Sequence, residues 1–147
     1  MTANGPGRPA YLVGQTRLPS LRIPVTTTFV VTTAIASNDF MAVHHDRDAA
    51  QAQGSRDIFT NILTDTGLIS RYVTDWAGPA AVIRKIAVKL QAQNPVGELL
   101  EISGEVTGES EPGTAEILVR ATNGLGTHCT ATVTVAWPAG ERGEVVS

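Results

Sequence analysis

Apolar and polar residues alternate with a period of two through the second half of the chain, which predicts β-strands. Each alternating run places apolar side chains on one parity and polar side chains on the other. Gly, Pro and Asn residues typical of turns separate the runs, so we expect the strands to pair in sequence as antiparallel hairpins. The predicted strands are 82–90, 99–108, 115–122 and 130–137, with turns at 94–95, 111–113 and 123–126.

The first half of the chain predicts one strand, a short helix and a long helix. Residues 24–36 are dense in β-branched side chains, which favour a strand. Asp46 is a candidate N-cap for a short helix that reaches Ala52. Apolar residues at three- and four-residue steps predict a helix over Ile58–Trp76, which Gly78 ends. This helix has few polar residues, so we expect it to be largely enclosed.

A sheet with one apolar face and a long apolar helix bury both surfaces when the sheet curls around the helix. This arrangement is the α+β hot-dog fold, an antiparallel sheet wrapped around a long central helix. We expect one such domain over residues 21–138, preceded by a flexible N-terminal arm (1–20) and followed by a C-terminal tail (139–147). An edge strand and part of the helix are expected to meet a second subunit.

Composition narrows the range of functions. The chain has 147 residues, 42% of them hydrophobic and 17% charged, which fits one globular domain. No apolar run predicts a membrane span, and the N-terminus lacks the features of a secretory signal, so we expect a cytoplasmic protein. A net charge of −3 without a basic cluster argues against binding nucleic acid or a membrane surface. The single cysteine, Cys129, excludes an internal disulfide and is expected to be buried.

Two carboxylates and two imidazoles lie within residues 38–46, just after the first predicted strand. A curled loop can bring Asp39 and His44 within reach of a common water. A carboxylate that accepts from this water and an imidazole that relays its proton can hydrate a double bond conjugated to a carbonyl. Backbone N–H groups near Thr60 and Asn61, at the start of the long helix, can stabilise the enolate oxygen.

The sequence of this region resembles the signature of the MaoC-like (R)-specific enoyl-CoA hydratases. In that family an Asp, four residues, a His, one residue and a second Asp precede a helix that opens with His-Gly. The resemblance implies that Asp39 and His44 are catalytic and that Asp46 fixes the short helix. It aligns Thr60 with the family His, and Asn61 with the Gly whose N–H binds the thioester oxygen.

The chain departs from the family pattern at three places. Asn61 replaces the Gly, Thr60 replaces the His, and Met41-Ala42 stand where the family has Asn-Pro. Asn retains the backbone N–H but not the close approach that Gly permits. Ile62 completes the expected thioester-binding group, and His45 is expected at the surface or supporting the catalytic pair.

A more extended resemblance, over about residues 24–137, is to the small MaoC-like subunits of actinobacterial steroid (cholesterol) side-chain enoyl-CoA hydratases. It implies a heteromer in which this chain supplies the Asp–His pair and a second MaoC-like subunit completes the substrate tunnel. The implied substrate is a steroid acyl-CoA with a short unsaturated side chain. A lipid-transfer-protein-like aldolase is an implied associate, and no separate cofactor is implied because CoA is part of the substrate.

Several alternatives stay open. Asp and His residues at this spacing are often solvated loop charges, and His44 with His45 lacks a convincing third ligand for a metal site. The chain could be a non-catalytic scaffold subunit or a homodimeric (R)-specific hydratase of fatty enoyl-CoAs. A hot-dog thioesterase would use a carboxylate on the long helix, where Asp65 is a weaker candidate than the pair. We expect His128 to be partly exposed and without a catalytic role.

Overall fold

Five antiparallel strands form one sheet in the computed structural model, which describes residues 7–139. The strand order across the sheet is β1-β3-β4-β5-β2. In chain order the elements of this range are β1 (Arg17–Pro24), α1 (Thr27–Ala36), a 3-10 turn (Ala42–His44), α2 (Arg47–Ala52), α3 (Ile62–Ala77), β2 (Val82–Leu90), β3 (Leu99–Gly108), β4 (Thr114–Asn123) and β5 (Gly126–Ala136).

The long helix α3 packs on the apolar face of the sheet and contacts β1, β2 and β5. It buries Ile69, Tyr72 and Val73, each at most 4% exposed. This arrangement confirms the predicted α+β hot-dog fold. The side of α3 that faces away from the sheet is exposed, so the helix is less enclosed than predicted. The side chains predicted to lie on the apolar face of the last three strands are buried, and so is Cys129. The buried residues of these predicted strands are Leu100, Ile102, Val106, Ile117, Val119, Ala121, Ala131, Val133, Val135 and Trp137.

The predicted pairing of the last four strands in sequence is wrong for β2. Strands β3, β4 and β5 pair in order, but β2 pairs with β5 and occupies the edge of the sheet. The connection between β2 and β3 leaves the sheet and pairs with the segment before α3. In that pairing the Thr60 N–H donates to the Asn94 carbonyl at 3.2 Å and the Val96 N–H donates to the Ile58 carbonyl at 3.0 Å. Because residues 58–60 take part in this pairing, α3 begins at Ile62 and not at Ile58.

The strand predicted at residues 24–36 is also wrong, because most of this segment forms α1. Thr26 caps the helix by accepting from the Phe29 N–H at 3.0 Å. Thr32 donates its hydroxyl hydrogen to the carbonyl one turn back, at 2.6 Å, so a β-branched polar side chain is satisfied within the helix. Val30 and Ala34 are buried on one side of α1 at a helical spacing. Burial of this face overrides the strand propensity of the individual residues.

Strand β1 was not predicted. It pairs with β3 and buries Leu18 and Ile23 in the core. Residues 17–20 were assigned to the flexible arm, so the boundary expected at residue 20 falls inside a strand. Most of the predicted tail and the first part of the predicted arm, residues 140–147 and 1–6, lie outside the described residues.

Within residues 7–139 there is no helix with the length and apolarity needed to cross a membrane. The cytoplasmic location stays a prediction.

Gly104 lets β3 pass beneath the Tyr72 ring. A Cβ atom at this position would lie 3.0 Å from Tyr72 Cε1 and 3.3 Å from the Leu118 carbonyl oxygen. We therefore expect Gly104→Ala to lower the free energy of unfolding by about 1–3 kcal/mol through overpacking. Gly67→Ala in α3 is the matched control, because its Cβ meets nothing within 4 Å. The control should be neutral or stabilising by up to about 1 kcal/mol. Urea denaturation measures both, and equal effects would contradict this packing.

Candidate active site

The end of α1 fixes the backbone of Asp39. The Asp39 N–H donates to the Ala34 carbonyl at 2.9 Å, and the Asn38 N–H donates to the Ile35 carbonyl at 3.0 Å. These two bonds form a Schellman motif, which requires a left-handed residue after the helix. Asn38 takes this conformation with a φ of 58° and is the only non-glycine residue of the 7–139 range with a positive φ. Asn tolerates it better than most residues, so α1 ends in a defined turn that presents Asp39.

The imidazole of His44 is buried at the 3-10 turn and is oriented by Phe59. His44 Nδ1 lies 2.7 Å from the Phe59 carbonyl oxygen, and the two rings meet edge to face at a centroid distance of 5.0 Å. Because a carbonyl only accepts, Nδ1 carries the hydrogen and Nε2 of the neutral ring is an acceptor. His44 Nε2 lies 3.4 Å from Asp39 Oδ2. The structure therefore brings together the two residues predicted from the sequence.

Two donors hold the carboxylate of Asp39. Oδ2 accepts from Asn61 Nδ2 at 2.9 Å, and Oδ1 accepts from the Met41 N–H at 3.2 Å. The hydrogen bond from Asn61, followed by the one from Met41, lowers the pKa of Asp39 below its ordinary value. The side chain is 22% exposed, so the ionised carboxylate is accessible from outside the chain.

The side chain of Asn61 was not predicted to act, yet it joins three elements of the site. Its Oδ1 caps α3 by accepting from the Thr64 N–H at 2.8 Å. Its Nδ2 donates both to Asp39 and to the Ser37 hydroxyl, the latter at 2.8 Å. An Asn directly before a helical pattern is a typical N-cap, which is the signal available in the sequence. Its second role, toward Asp39, depends on tertiary contacts.

The other predicted site residues lie in different surroundings. Thr60 is buried, and its hydroxyl donates to Asp65 Oδ1 at 3.2 Å. Ile62 lies in the first turn of α3 and is 47% exposed. Asp46 caps α2 by accepting from the Ala49 N–H at 3.1 Å, as predicted. His45 is exposed, with Nε2 3.2 Å from the Phe40 carbonyl oxygen.

The prediction that His128 is partly exposed is wrong. Its side chain is 3% exposed, and its Nε2 lies 3.0 Å from Oδ2 of Asp65, which is also buried. Asp65, the alternative thioesterase carboxylate, is thus enclosed by His128 and Thr60. In the described part of the chain, no three His, Cys, Asp or Glu side chains are grouped as metal ligands.

Apolar side chains next to Asp39 and Asn61 in sequence are exposed. Phe40, Met41, Ile62 and Leu63 have exposures between 47% and 65%. An open depression of about 270 Å³ lies between α1 and α3 and includes Ser37, which contacts Asn61. Its lining residues are Thr33, Ala36, Ser37, Leu63, Thr64, Gly67 and Leu68. The candidate site therefore adjoins apolar surface that this chain alone does not cover.

Known proteins resemble this chain in sequence and in overall structure. The 3-oxo-4,17-pregnadiene-20-carboxyl-CoA hydratase beta subunit of Mycobacterium tuberculosis is 53% identical over 116 residues, which cover 79% of this chain and 89% of that protein. A chain in the crystal structure of the ChsH1-ChsH2 complex from Mycobacterium tuberculosis matches with a TM-score of 0.84 and 49% identity, covering 88% of this chain and 100% of that chain.

A more distant structure supports the fold alone. The R-hydratase PhaJ1 from Pseudomonas aeruginosa matches with a TM-score of 0.78 at 18% identity, covering 87% of this chain and 83% of that one. No family model matches the chain.

The hydrogen bond from Asn61 to Asp39 predicts how the pKa of Asp39 responds to substitution of Asn61. Asn61→Ser keeps an oxygen that can cap α3 but removes the carboxamide donor, so the pKa of Asp39 should rise toward its ordinary value. Ser37→Ala is the control, because it removes the other acceptor of Asn61 Nδ2 and leaves the bond to Asp39. Titration of the Asp39 carboxyl carbon by NMR measures both. An unchanged pKa in Asn61→Ser would show that the carboxamide does not hold the carboxylate.

Proposed function

The chain belongs to the MaoC-like enoyl-CoA hydratases, and we propose that its own Asp39 and His44 activate the water that adds to the substrate double bond. The observation that carries this proposal is the 3.4 Å separation between His44 Nε2 and Asp39 Oδ2. Both atoms are acceptors in the neutral-imidazole state, so one water can donate a hydrogen to each.

The protonation states suggest how the two groups divide the work. The lowered pKa of Asp39 keeps its carboxylate ionised, and it orients the water as an acceptor. His44 Nε2 takes a proton from the water while the remaining hydroxide adds to the β-carbon. The His44 imidazolium then returns that proton to the α-carbon, so that one water molecule has been added in full. The hydration causes no net oxidation or reduction of the substrate, and the proposed reaction uses no cofactor apart from the CoA of the substrate.

The proposed donor to the thioester oxygen is the Asn61 N–H, directly before the first turn of α3. Within residues 7–139 this N–H donates to no backbone carbonyl. The helix dipole favours negative charge at this end, and one such donor typically contributes about 10²- to 10³-fold in rate. Asn61 keeps the backbone N–H that the family Gly provides. Its side chain is held by Ser37 and Thr64 and donates to Asp39, so the replacement also supports the carboxylate.

The proposed substrate is a steroid side-chain enoyl-CoA, and the proposed partner is a second MaoC-like subunit. Ligand sites typically enclose most of the ligand surface, whereas the depression beside Asn61 is open. A second subunit over the exposed residues Phe40, Met41 and Leu63 would enclose an apolar acyl group. The names of the Mycobacterium tuberculosis relatives, a steroid acyl-CoA hydratase subunit and a two-component complex, support both assignments.

A lipid-transfer-protein-like aldolase remains a proposed associate on the basis of the sequence resemblance. The proposed product is a β-hydroxyacyl thioester, which is the type of compound that retro-aldol cleavage consumes.

Substitutions in the pair test catalysis. In the complex with the second subunit, Asp39→Asn and His44→Ala should each lower kcat by about 10²- to 10⁴-fold, because each removes a group that contacts the reacting water. Asp75→Asn, at an exposed position of α3, is the control. Loss of the conjugated thioester absorbance measures turnover, and sedimentation measures assembly. Unchanged rates in both pair variants, with assembly intact, would favour the scaffold alternative.

A second assay tests the partner and the substrate. We expect little turnover by the chain alone and rapid turnover of a steroid enoyl-CoA after the second subunit is added, because the open site becomes enclosed. A straight-chain enoyl-CoA of equal thioester chemistry is the control substrate. Efficient turnover of the straight-chain substrate by the chain alone would support the homodimeric fatty enoyl-CoA hydratase instead.

A further inference from the structure

A second Asp–His pair, which the proposed reaction does not use, is buried beside α3. The side chains of His128 and Asp65 are 3% and 1% exposed, and His128 Nε2 lies 3.0 Å from Asp65 Oδ2. Burying two ionisable groups has a large desolvation cost, and a hydrophobic pair of similar volume is often at least as stable. Fold stability alone therefore gives little reason for this pair.

The short, buried contact favours a proton between the two side chains. His128 Nδ1 lies 2.5 Å from the Ala92 carbonyl oxygen, which can only accept, so Nδ1 carries a hydrogen. In a neutral ring the lone pair of Nε2 would face Asp65 Oδ2, and two acceptors at 3.0 Å repel each other. Neither atom has another hydrogen-bond partner in residues 7–139. A proton shared by the pair, as imidazolium with carboxylate, satisfies both atoms.

The pair is connected to the proposed active site through Thr60. Asp65 Oδ1 accepts from the Thr60 hydroxyl at 3.2 Å, and that hydroxyl lies 3.4 Å from Asn94 Nδ2. The Thr60 N–H donates to the Asn94 carbonyl at 3.2 Å. Thr60 directly precedes Asn61, so these bonds fix the turn from which Asn61 reaches Asp39.

We propose that Asp65 and His128 are positioning residues, which lock the Thr60 turn so that Asn61 stays on the Asp39 carboxylate and presents its N–H to the thioester. The pair contacts no substrate atom. This inference rests on the proposed hydratase function for its effect on rate, but the coupling to Asp39 can be measured without turnover.

The charge state of the pair sets the direction of its pH dependence. Burial lowers the pKa of His128, but the hydrogen bond and charge of Asp65, together with the Ala92 carbonyl, outweigh burial and raise it above the ordinary 6.5. The stabilisation of the folded protein by the charged pair is therefore present below pH 6.5. It is lost as the pH rises through the folded-state pKa of His128. Cys129 also experiences the charge of Asp65. Burial, and then this charge, raises the pKa of the Cys129 thiol to about 12, so the thiol stays neutral. Thr60 and Asn94, which also adjoin the pair, do not titrate.

A matched pair of variants at His128 tests the proposal in the assembled enzyme. His128→Gln places an amide donor where Nε2 lies and keeps the contact to Asp65 without a titrating ring. His128→Asn reaches only the position of Nδ1 and leaves Asp65 without its partner. We expect His128→Asn to lower kcat by about tenfold or more while KM changes less, because misplaced catalytic groups lose rate. His128→Gln should retain kcat within about threefold.

Two measurements by NMR keep the test independent of activity and of the stability of one variant. The His128 ring of the wild-type protein should titrate above pH 6.5. The pKa of Asp39 should rise in His128→Asn and stay low in His128→Gln. Unchanged Asp39 pKa and kcat in both variants, or equal losses in both, would overturn the positioning role.

If His128→Asn fails to fold, a low Asp39 pKa and near-wild-type kcat in His128→Gln support the proposal, and a raised pKa with lost rate overturns it. If the wild-type enzyme does not hydrate enoyl-CoA, the Asp39 pKa still decides the coupling.

Discussion

The hydrogen bond from the Asn61 carboxamide to the Asp39 carboxylate joins the end of α1 to the beginning of α3. The same carboxamide caps α3, so the helix that forms the centre of the fold also fixes the acidic group of the site. On the other side, the Phe59 carbonyl fixes the His44 tautomer from the segment just before Asn61. Orientation of both proposed catalytic groups therefore depends on one short stretch, residues 59–61, and on what holds that stretch in place.

Pairing of residues 58–60 with 94–96 anchors this stretch to the connection between β2 and β3. Beneath it, the buried Asp65–His128 pair ties Thr60 to β5. Polar groups with little exposure thus support a site whose substrate side is apolar and open. This arrangement fits a subunit that holds the proposed catalytic side chains rigidly and depends on a second chain to enclose the acyl group.

The sequence predicted the sheet core well because period-two alternation in β3, β4 and β5 coincides with one buried face. It misassigned α1 because β-branched residues favour strands locally, whereas Val30 and Ala34 are buried at helical spacing. The Asp39/His44 pair was accessible from residue types, spacing and the family signature. The Asn61 carboxamide, the Phe59 carbonyl and the Asp65–His128 pair act through contacts between segments distant in sequence, which carry no periodic signal.

The most direct measurement is a high-resolution crystal structure of the assembled enzyme with a saturated acyl-CoA that cannot be hydrated. The account predicts one ordered water within hydrogen-bond distance of both Asp39 Oδ2 and His44 Nε2, facing the β-carbon, with the thioester oxygen on the Asn61 N–H. A thioester bound elsewhere, or Asp39 and His44 contacting separate waters away from the acyl chain, would contradict it.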